Sequence, residues 1–200
     1  MAPPPFGANS AAARDIATVL HPYTDLQAHQ EIGPVVISRG KGVRVWDDSG
    51  KEYIESVAGL WCASLGFDNE RLVQAAVTQM RKLPFYHAFT AKSHEPMIDL
   101  AEMLLARAPV PMSKVFFANS GSEANDSAIK MVWYMNNALG RPKKKKIIGR
   151  IKGYHGITIG AASLTGLPAN HRSFDVPLPG FVHTITPHFY HGALPGESED

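Results

Sequence analysis

The segment from residue 115 to residue 151 constrains the fold more than any other part of the sequence. It starts with the continuous apolar run Val115–Ala118, passes through an amphipathic helical stretch from Ser120 to Asn136, and ends in a second apolar run, Ile147–Ile151. Continuous apolar runs are typical of strands that are buried on both faces. Strand, helix and strand in this order predict a right-handed βαβ unit, and therefore an α/β fold with a parallel sheet. The helical period predicts an inner face made of Ala124, Ala128, Met131, Val132 and Met135.

The first third of the chain predicts smaller elements. Residues 1–13 are rich in Pro and Ala, and we expect a flexible arm there. Val43–Trp46 and Glu52–Val57 flank a turn that contains Asp and Gly, which predicts a β-hairpin. Apolar spacing predicts one helix starting near Asn69 and another starting after Ser93.

Composition limits the classes of protein that fit. Of the 200 residues, 44% are hydrophobic and 19% are charged, and the formal net charge is +2. This charge is too small to indicate nucleic acid or an anionic membrane as a partner. Cys62 is the single cysteine, so no intrachain disulfide is possible, and the first 15 residues lack the apolar region of a signal peptide. These features favour a cytoplasmic protein that binds neither nucleic acid nor membrane.

The turn Asn119-Ser120-Gly121-Ser122-Glu123-Ala124-Asn125 offers binding chemistry. Ser120 and Glu123 have the spacing of a capping box. If Ser120 caps the helix, the amides of Gly121 and Ser122 lie in the first helical turn, at the positive end of the helix dipole and without intrahelical acceptors. The turn therefore predicts either an anion site or a capped helix without a ligand. It lacks the Gly-Lys-Ser/Thr of a Walker loop and the dinucleotide fingerprint.

A second turn, Lys152-Gly153-Tyr154-His155-Gly156, follows the apolar run at Ile147–Ile151 directly. Ligands of open parallel sheets bind beyond the carboxyl ends of the strands, where both turns are predicted to lie. One turn offers phosphate donors and the other an aromatic face, a combination that suits a phosphorylated aromatic cofactor. The alternative for Tyr154 is a half-buried tyrosine in a turn.

Four motifs occur in a consistent order: the hairpin sequence from Gly42 to Tyr53, Gly59-Leu60-Trp61, Pro84-Phe85-Tyr86-His87-Ala88-Phe89, and the pair of turns described above. Together they resemble class-III aminotransferases of pyridoxal 5'-phosphate (PLP) fold type I, in the ω-amino acid and amine:pyruvate branch. The resemblance implies a mainly parallel sheet in a partial large domain, plus the N-terminal segment of a small domain. It divides the chain into an arm at 1–25, a small-domain segment with the hairpin at 26–66, and the first part of the PLP-binding domain at 67–200.

The resemblance also implies roles for particular residues on the cofactor. Gly121 and Ser122 would bind the cofactor phosphate. Tyr154 would stack on the pyridine ring, with His155 beside it.

Two aromatic residues receive substrate-binding roles from the same resemblance. Trp61 would line the substrate pocket. Phe89 would reach into the pocket of the partner subunit, since the active sites of this family form at a homodimer interface.

The implied function is transfer of an amino group from an ω-amino acid or amine to a keto acid such as pyruvate, with PLP as the cofactor. The family places the Schiff-base lysine and the acidic partner of the pyridine nitrogen beyond residue 200. We therefore expect no catalytic residue in this chain, which looks like an N-terminal fragment that is inactive alone. Two alternatives stay open: another class-III PLP enzyme (an aminomutase or decarboxylase), and a truncated protein that serves binding or dimerisation.

Two other features predict no site. Lys143–Lys146 is a basic run that we interpret as a solvated turn between helix and strand. His188 and His191 have a spacing compatible with metal binding on a helix, but no third ligand is fixed nearby. Because Pro187 and the neighbouring aromatic residues favour a loop, we predict no metal site.

Overall fold

The computed structural model describes residues 6–199, which form two compact units that divide between residues 94 and 95. Among the described residues, the first unit contains α-helices and a small antiparallel sheet, and the second contains α-helices and a parallel strand pair. The boundaries predicted at residues 25 and 66 both fall inside the first unit and stay predictions. Within the described residues, no helix has both the length and the apolar character needed to cross a bilayer.

The first unit opens with two short helices, α1 (Ala11–Thr18) and α2 (Leu26–Ile32). The Ser10 hydroxyl caps α1 by accepting a hydrogen bond from the Ala13 amide at 3.1 Å. The helix starts inside the stretch predicted as a flexible arm, so that prediction is wrong for residues 11–13. An N-cap serine stabilises a helix even where the neighbouring composition favours an irregular chain. The first five residues of the predicted arm lie outside the described residues.

Three antiparallel strands follow: β1 (Ile37–Lys41), β2 (Arg44–Asp47) and β3 (Glu52–Ile54). The β2–β3 pair, with Val45 opposite Tyr53, confirms the predicted hairpin. Strand β1 was not predicted, because its sequence is mostly polar. Its pairing with β2 shifts register beside Ile37. A four-residue segment, α3 (Ala58–Trp61), comes next.

The two predicted amphipathic helices are present as α4 (Glu70–Lys82) and α5 (Glu95–Leu105). Asn69 caps α4 by accepting a hydrogen bond from the Leu72 amide at 3.4 Å, which confirms the predicted start. The apolar side chains of α4 are largely exposed, with Leu72 at 54% and Met80 at 66%. The apolar period therefore predicts the helix correctly, while the described residues do not cover its apolar face.

The parallel strands of the second unit are β4 (Ile147–Arg150) and β5 (Phe181–Thr184), with Ile147 opposite Phe181. Helix α7 (Ile159–Leu164) lies between them in the chain and packs on both. The predicted parallel sheet is thus confirmed, but its described βαβ unit starts at β4. A last short helix, α8 (Phe189–Gly192), replaces the loop predicted around His188 and His191.

The strand predicted at Val115–Ala118 is absent from the described structure, where this segment belongs to neither sheet. Phe116 is 67% exposed and Phe117 is 40% exposed. A strand requires hydrogen-bonded neighbours, and an apolar run reports only that a segment is suited to burial. Among the described residues, no strand pairs with the segment Val115–Ala118.

Helix α6 (Gly121–Ala138) is present as predicted, but its packed face differs from the predicted one. Ile129 and Asn136 are buried, whereas Met131 and Met135 are about half exposed, at 50% and 51%. The packed face of α6 carries polar residues with specific hydrogen-bond partners. A pattern of apolar residues therefore does not predict this face. The predicted inner face, which the described residues leave exposed, comprises Ala124, Ala128, Met131, Val132 and Met135.

The basic run after α6 is tied to the helix. The Trp133 indole donates a hydrogen bond to the Lys145 carbonyl at 3.0 Å, and the Lys145 ammonium donates to the Trp133 carbonyl at 2.8 Å. An ammonium group near a helix C-terminus is stabilised by the helix dipole. This geometry gives Lys145 a structural role in the turn.

Candidate functional site

The start of α6 has the geometry of an anion site. The Ser120 hydroxyl accepts a hydrogen bond from the Glu123 amide at 3.2 Å, and the Glu123 carboxylate accepts one from the Asn119 amide at 2.8 Å. These bonds confirm the predicted cap. The space where a side chain on Gly121 would lie is open. Backbone amides in the first turn of a capped helix lack intrahelical acceptors and favour negative charge.

The second turn lies directly against this helix start. The Ser122 hydroxyl oxygen accepts a hydrogen bond from the Ile157 amide at 3.0 Å. Gly156 has a φ of 132°, and a Cβ there would lie 2.3 Å from the Ser122 hydroxyl oxygen. Only glycine fits this approach. Because the Ser122 oxygen acts as an acceptor, its own proton is available to donate to a ligand.

Two residues that sequence reasoning missed hold the backbone of His155. The Asn125 side-chain amide donates to the His155 carbonyl at 2.7 Å, and the Thr165 hydroxyl accepts from the His155 amide at 2.9 Å. Thr165 is fully buried. The position of Asn125 one turn after Gly121 was a usable signal, whereas nothing in the sequence around Thr165 indicates its contact.

The turn itself presents Tyr154 with 52% of its surface exposed. Its base is closed by the Lys152 amide, which donates to the Gly166 carbonyl at 2.8 Å, and by the Gly166 amide, which donates to the Gly153 carbonyl at 2.8 Å. Two contacts thus hold the second turn against the start of α6: the Ile157 amide bonds to Ser122, and the Asn125 side chain bonds to His155. Gly121 and Tyr154 are the chain neighbours of Ser122 and His155, so all four predicted cofactor residues lie around the first turns of α6.

Trp61 and Phe89 belong to the first unit, whereas the four predicted cofactor residues belong to the second. Their side chains are 77% and 81% exposed. The backbone around each is left-handed at residues other than glycine: Ala58, Leu60 and Trp61 have φ of 50° to 65°, and Thr90 and Ala91 have φ of 54° and 60°. Such conformations cost roughly 1–2 kcal/mol per residue and concentrate at functional sites.

Comparison with known proteins gives one family for most of the chain. Residues 26–199 match the family model described as "Aminotransferase class-III". The chain is 52% identical over 183 residues to "Gamma-aminobutyrate transaminase 1, mitochondrial" of Oryza sativa subsp. japonica. The matched region covers 91% of this chain and 36% of that protein. The chain is 50% identical to "Gamma aminobutyrate transaminase 3, chloroplastic" of Solanum lycopersicum, over 91% of the chain and 35% of that protein. The chain therefore spans about a third of the length of these curated relatives.

Solved structures agree. An omega transaminase from Pseudomonas jessenii in complex with PMP superposes with a TM-score of 0.92 at 63% identity, over 94% of this chain and 42% of that one. A thermostable omega transaminase variant in which one tryptophan is replaced by glycine, engineered for synthesis of bulky amines, gives a TM-score of 0.92 at 61% identity, with the same coverage of 94% and 42%. These matches confirm the predicted fold type I and PLP as the cofactor of the family.

The predicted cytoplasmic location is wrong by the same comparisons, since the curated relatives are mitochondrial or chloroplastic. The features behind that prediction were a single cysteine and a first segment without an apolar region. These features do not distinguish the cytosol from an organelle.

Proposed function

The chain belongs to the class-III aminotransferase family, and we propose that the native protein transfers an amino group from an ω-amino acid or amine to a keto acid such as pyruvate. The single observation that carries the proposal is the contact between the Ser122 hydroxyl and the Ile157 amide, which joins a helix N-terminus to an aromatic turn. When bound, PLP serves as an electron sink for the reacting substrate. The phosphate of such a cofactor requires anion donors like those at the helix N-terminus, and its ring requires an aromatic face like that of the turn. The contact joins these two elements.

In this proposal, Gly121 and Ser122 bind the phosphate. The open space at Gly121 allows a phosphate oxygen to approach the backbone. The amides of the first turn and the Ser122 hydroxyl proton then act as donors, and the positive end of the helix dipole stabilises the phosphate charge. Hydrogen bonds to charged groups of this kind contribute roughly 1.5–3 kcal/mol each.

Tyr154 and His155 hold the pyridine ring. The half-exposed Tyr154 ring offers a stacking face, and offset stacking contributes about 0.5–1.5 kcal/mol beyond the area that it buries. Asn125 and Thr165 act as positioning residues, because they fix the carbonyl and the amide of His155. Neither residue needs to touch the cofactor.

Trp61 lines the substrate pocket and limits the size of the amine. Its strained, exposed position supports this role. Further support comes from the related transaminase in which replacement of a tryptophan accompanied use for bulky amines. The γ-aminobutyrate transaminases among the relatives act on an ω-amino acid, which favours that class of donor here.

We further propose that the protein works as a homodimer whose active sites form at the subunit interface. Phe89 is 81% exposed and is the last residue of a motif rich in aromatic residues, as expected of a side chain that enters a partner's pocket.

The proposal is tested by incubating the native protein with PLP, 4-aminobutyrate and pyruvate, and measuring the alanine formed. We expect alanine in step with loss of the donor. Release of CO2 without alanine would indicate a decarboxylase, and migration of the amino group within the donor would indicate an aminomutase. Either result would replace the aminotransferase proposal.

A further inference from the structure

Three potential metal ligands meet in the first unit, in a group that the aminotransferase proposal does not use. Asp15 lies in α1, His21 follows that helix, and His29 lies in α2. Their nearest ligand atoms all lie within 4.8 Å of one another, and within the described part of the chain this is the only such group of His, Cys, Asp and Glu. The fold therefore gathers three residues that are up to 14 positions apart in sequence.

The geometry of the group is close to that of a metal centre. The Nε2 atoms of His21 and His29 lie 2.9 Å and 3.1 Å from the same Asp15 oxygen, Oδ1. In tetrahedral coordination with bond lengths of about 2.0–2.2 Å, neighbouring ligand atoms are separated by roughly 3.3–3.5 Å. Each Nε2 atom therefore needs to move away from Asp15 Oδ1 by only a few tenths of an ångström, and the two Nε2 atoms, which lie within 4.8 Å of each other, need to take up the same spacing.

The group is also shielded and held in place. The His29 side chain is 9% exposed, that of Asp15 is 21% exposed and that of His21 is 32% exposed. The two imidazole rings lie with their centroids 4.8 Å apart. A cavity next to His29 is lined in addition by Thr18, Leu26 and Gln30.

From these contacts we propose that Asp15, His21 and His29 form a binding site for a divalent transition metal, with Zn2+ as the ion that fits it best. Two imidazole nitrogens and one carboxylate oxygen suit Zn2+, whereas Mg2+ and Ca2+ prefer oxygen ligands throughout. On binding, each neutral imidazole carries its proton on Nδ1 and gives its Nε2 lone pair to the metal. The ion then links α1 to α2.

The alternative is that the group is held by hydrogen bonds alone, with both imidazoles donating to Asp15. Metal analysis separates the two cases. The native protein, stripped of PLP because the cofactor phosphate itself binds metal ions, is dialysed against Zn2+ and analysed for bound zinc. The same measurement is made on Asp15→Asn and His29→Gln.

We expect one zinc ion per chain in the wild type that these variants lose, with affinity reduced by at least about 100-fold, since loss even of an outer-shell partner costs 10–100-fold. The matched control is the double variant His188→Gln with His191→Gln. It removes two imidazoles whose centroids are also 4.8 Å apart but which, among the described residues, belong to no group of three potential ligands. The control is expected to keep its zinc.

A variant that fails to fold would mimic loss of the site, so His29→Cys is included. A thiolate is also a zinc ligand, and this variant is expected to bind zinc although His29→Gln does not. The proposal is overturned if the wild type retains no zinc, or if Asp15→Asn and His29→Gln bind it as the wild type does. It is also overturned if only the His188 and His191 variant loses it.

Discussion

The Ser122 hydroxyl oxygen lies 3.0 Å from the Ile157 amide, from which it accepts a hydrogen bond across 35 positions of sequence. This bond fixes the turn that carries Tyr154 against the first turn of α6. A phosphate site and an aromatic face are thereby placed side by side, and neither turn has this arrangement by itself. The binding of the cofactor should therefore depend on residues that hold the two turns together as well as on those that contact it.

Replacing Ser122 with alanine is expected to weaken PLP binding by about 10- to 150-fold. The estimate corresponds to the roughly 1.5–3 kcal/mol of one hydrogen bond to a charged group. The dissociation constant is measured by titrating the apo-protein with PLP. Ser127→Ala, in the same helix, is the control and should leave the constant unchanged. An unchanged constant for Ser122→Ala would exclude Ser122 as a phosphate ligand.

Replacing Gly156 with alanine is expected to push the second turn away from Ser122 and to abolish stable PLP retention. The added Cβ would lie 2.3 Å from the Ser122 hydroxyl oxygen. Gly180→Ala is the matched control, since Gly180 also has a positive φ, of 97°, but has nothing within 4 Å of its Cβ position. PLP content after gel filtration distinguishes the two variants. If both retain equally little PLP, backbone strain rather than the contact with Ser122 is responsible.

Replacing Trp61 with alanine is expected to change which amines are accepted more than it changes the rate on small donors. The residue is proposed to line the pocket and to take no part in proton transfer, so its removal widens the space for large substrates. The ratio of kcat/KM for a bulky aromatic amine to that for 4-aminobutyrate should rise. A uniform fall of kcat/KM on donors of every size would contradict the proposed role.

The hairpin of the first unit is expected to lose stability in acid through Asp47. Two hydrogen bonds lower the pKa of Asp47 from 3.8 to about 2. The one from the Ser49 hydroxyl has the larger effect, and the one from the Tyr53 hydroxyl has the next largest. Because the folded pKa is the lower one, the ionised carboxylate stabilises the folded state above about pH 3.8, and this contribution disappears as the pH falls through about 2.

Urea midpoints of the wild type and of Asp47→Asn, followed by tryptophan fluorescence, provide the measurement. The difference between them should be largest near neutral pH and should shrink as the pH approaches 2.5–3. Asp48→Asn, in the same turn, is the control for a general change in charge. A difference that stays constant with pH would show that the Asp47 charge does not matter.

Local signals in the sequence were enough to predict the helix starts and the hairpin. Ser120 and Asn69 cap α6 and α4 as their residue types and spacing indicate, and Asp47 closes the turn between β2 and β3 through its own hydrogen bonds. Each of these features depends on residues only a few positions apart. The cofactor turns were also found, and both were predicted to lie beyond the carboxyl ends of the strands, although the hydrogen bond between them was not predicted.

Features that depend on distant partners were not predicted. Val115–Ala118 has the composition of a buried strand but pairs with nothing among residues 6–199, and β5 lies in a stretch whose Gly, Pro and His content hides it. The packed face of α6 contains Asn125 and Asn136, which a hydrophobic period treats as solvent-facing. Polar residues with specific partners are invisible to a pattern that counts only apolar positions.

The most direct test of the proposed function is the visible absorption of the native protein carrying PLP, recorded as its substrates are added one at a time. We expect the absorption of bound PLP to disappear on addition of an amine or ω-amino acid without a keto acid, as PLP is converted to PMP. After the unreacted amine is removed, it should return when pyruvate is added, with one equivalent of alanine formed per PLP. Absorption that does not change with the amine, or that is lost and not restored by pyruvate, would contradict the proposal that this protein is an aminotransferase.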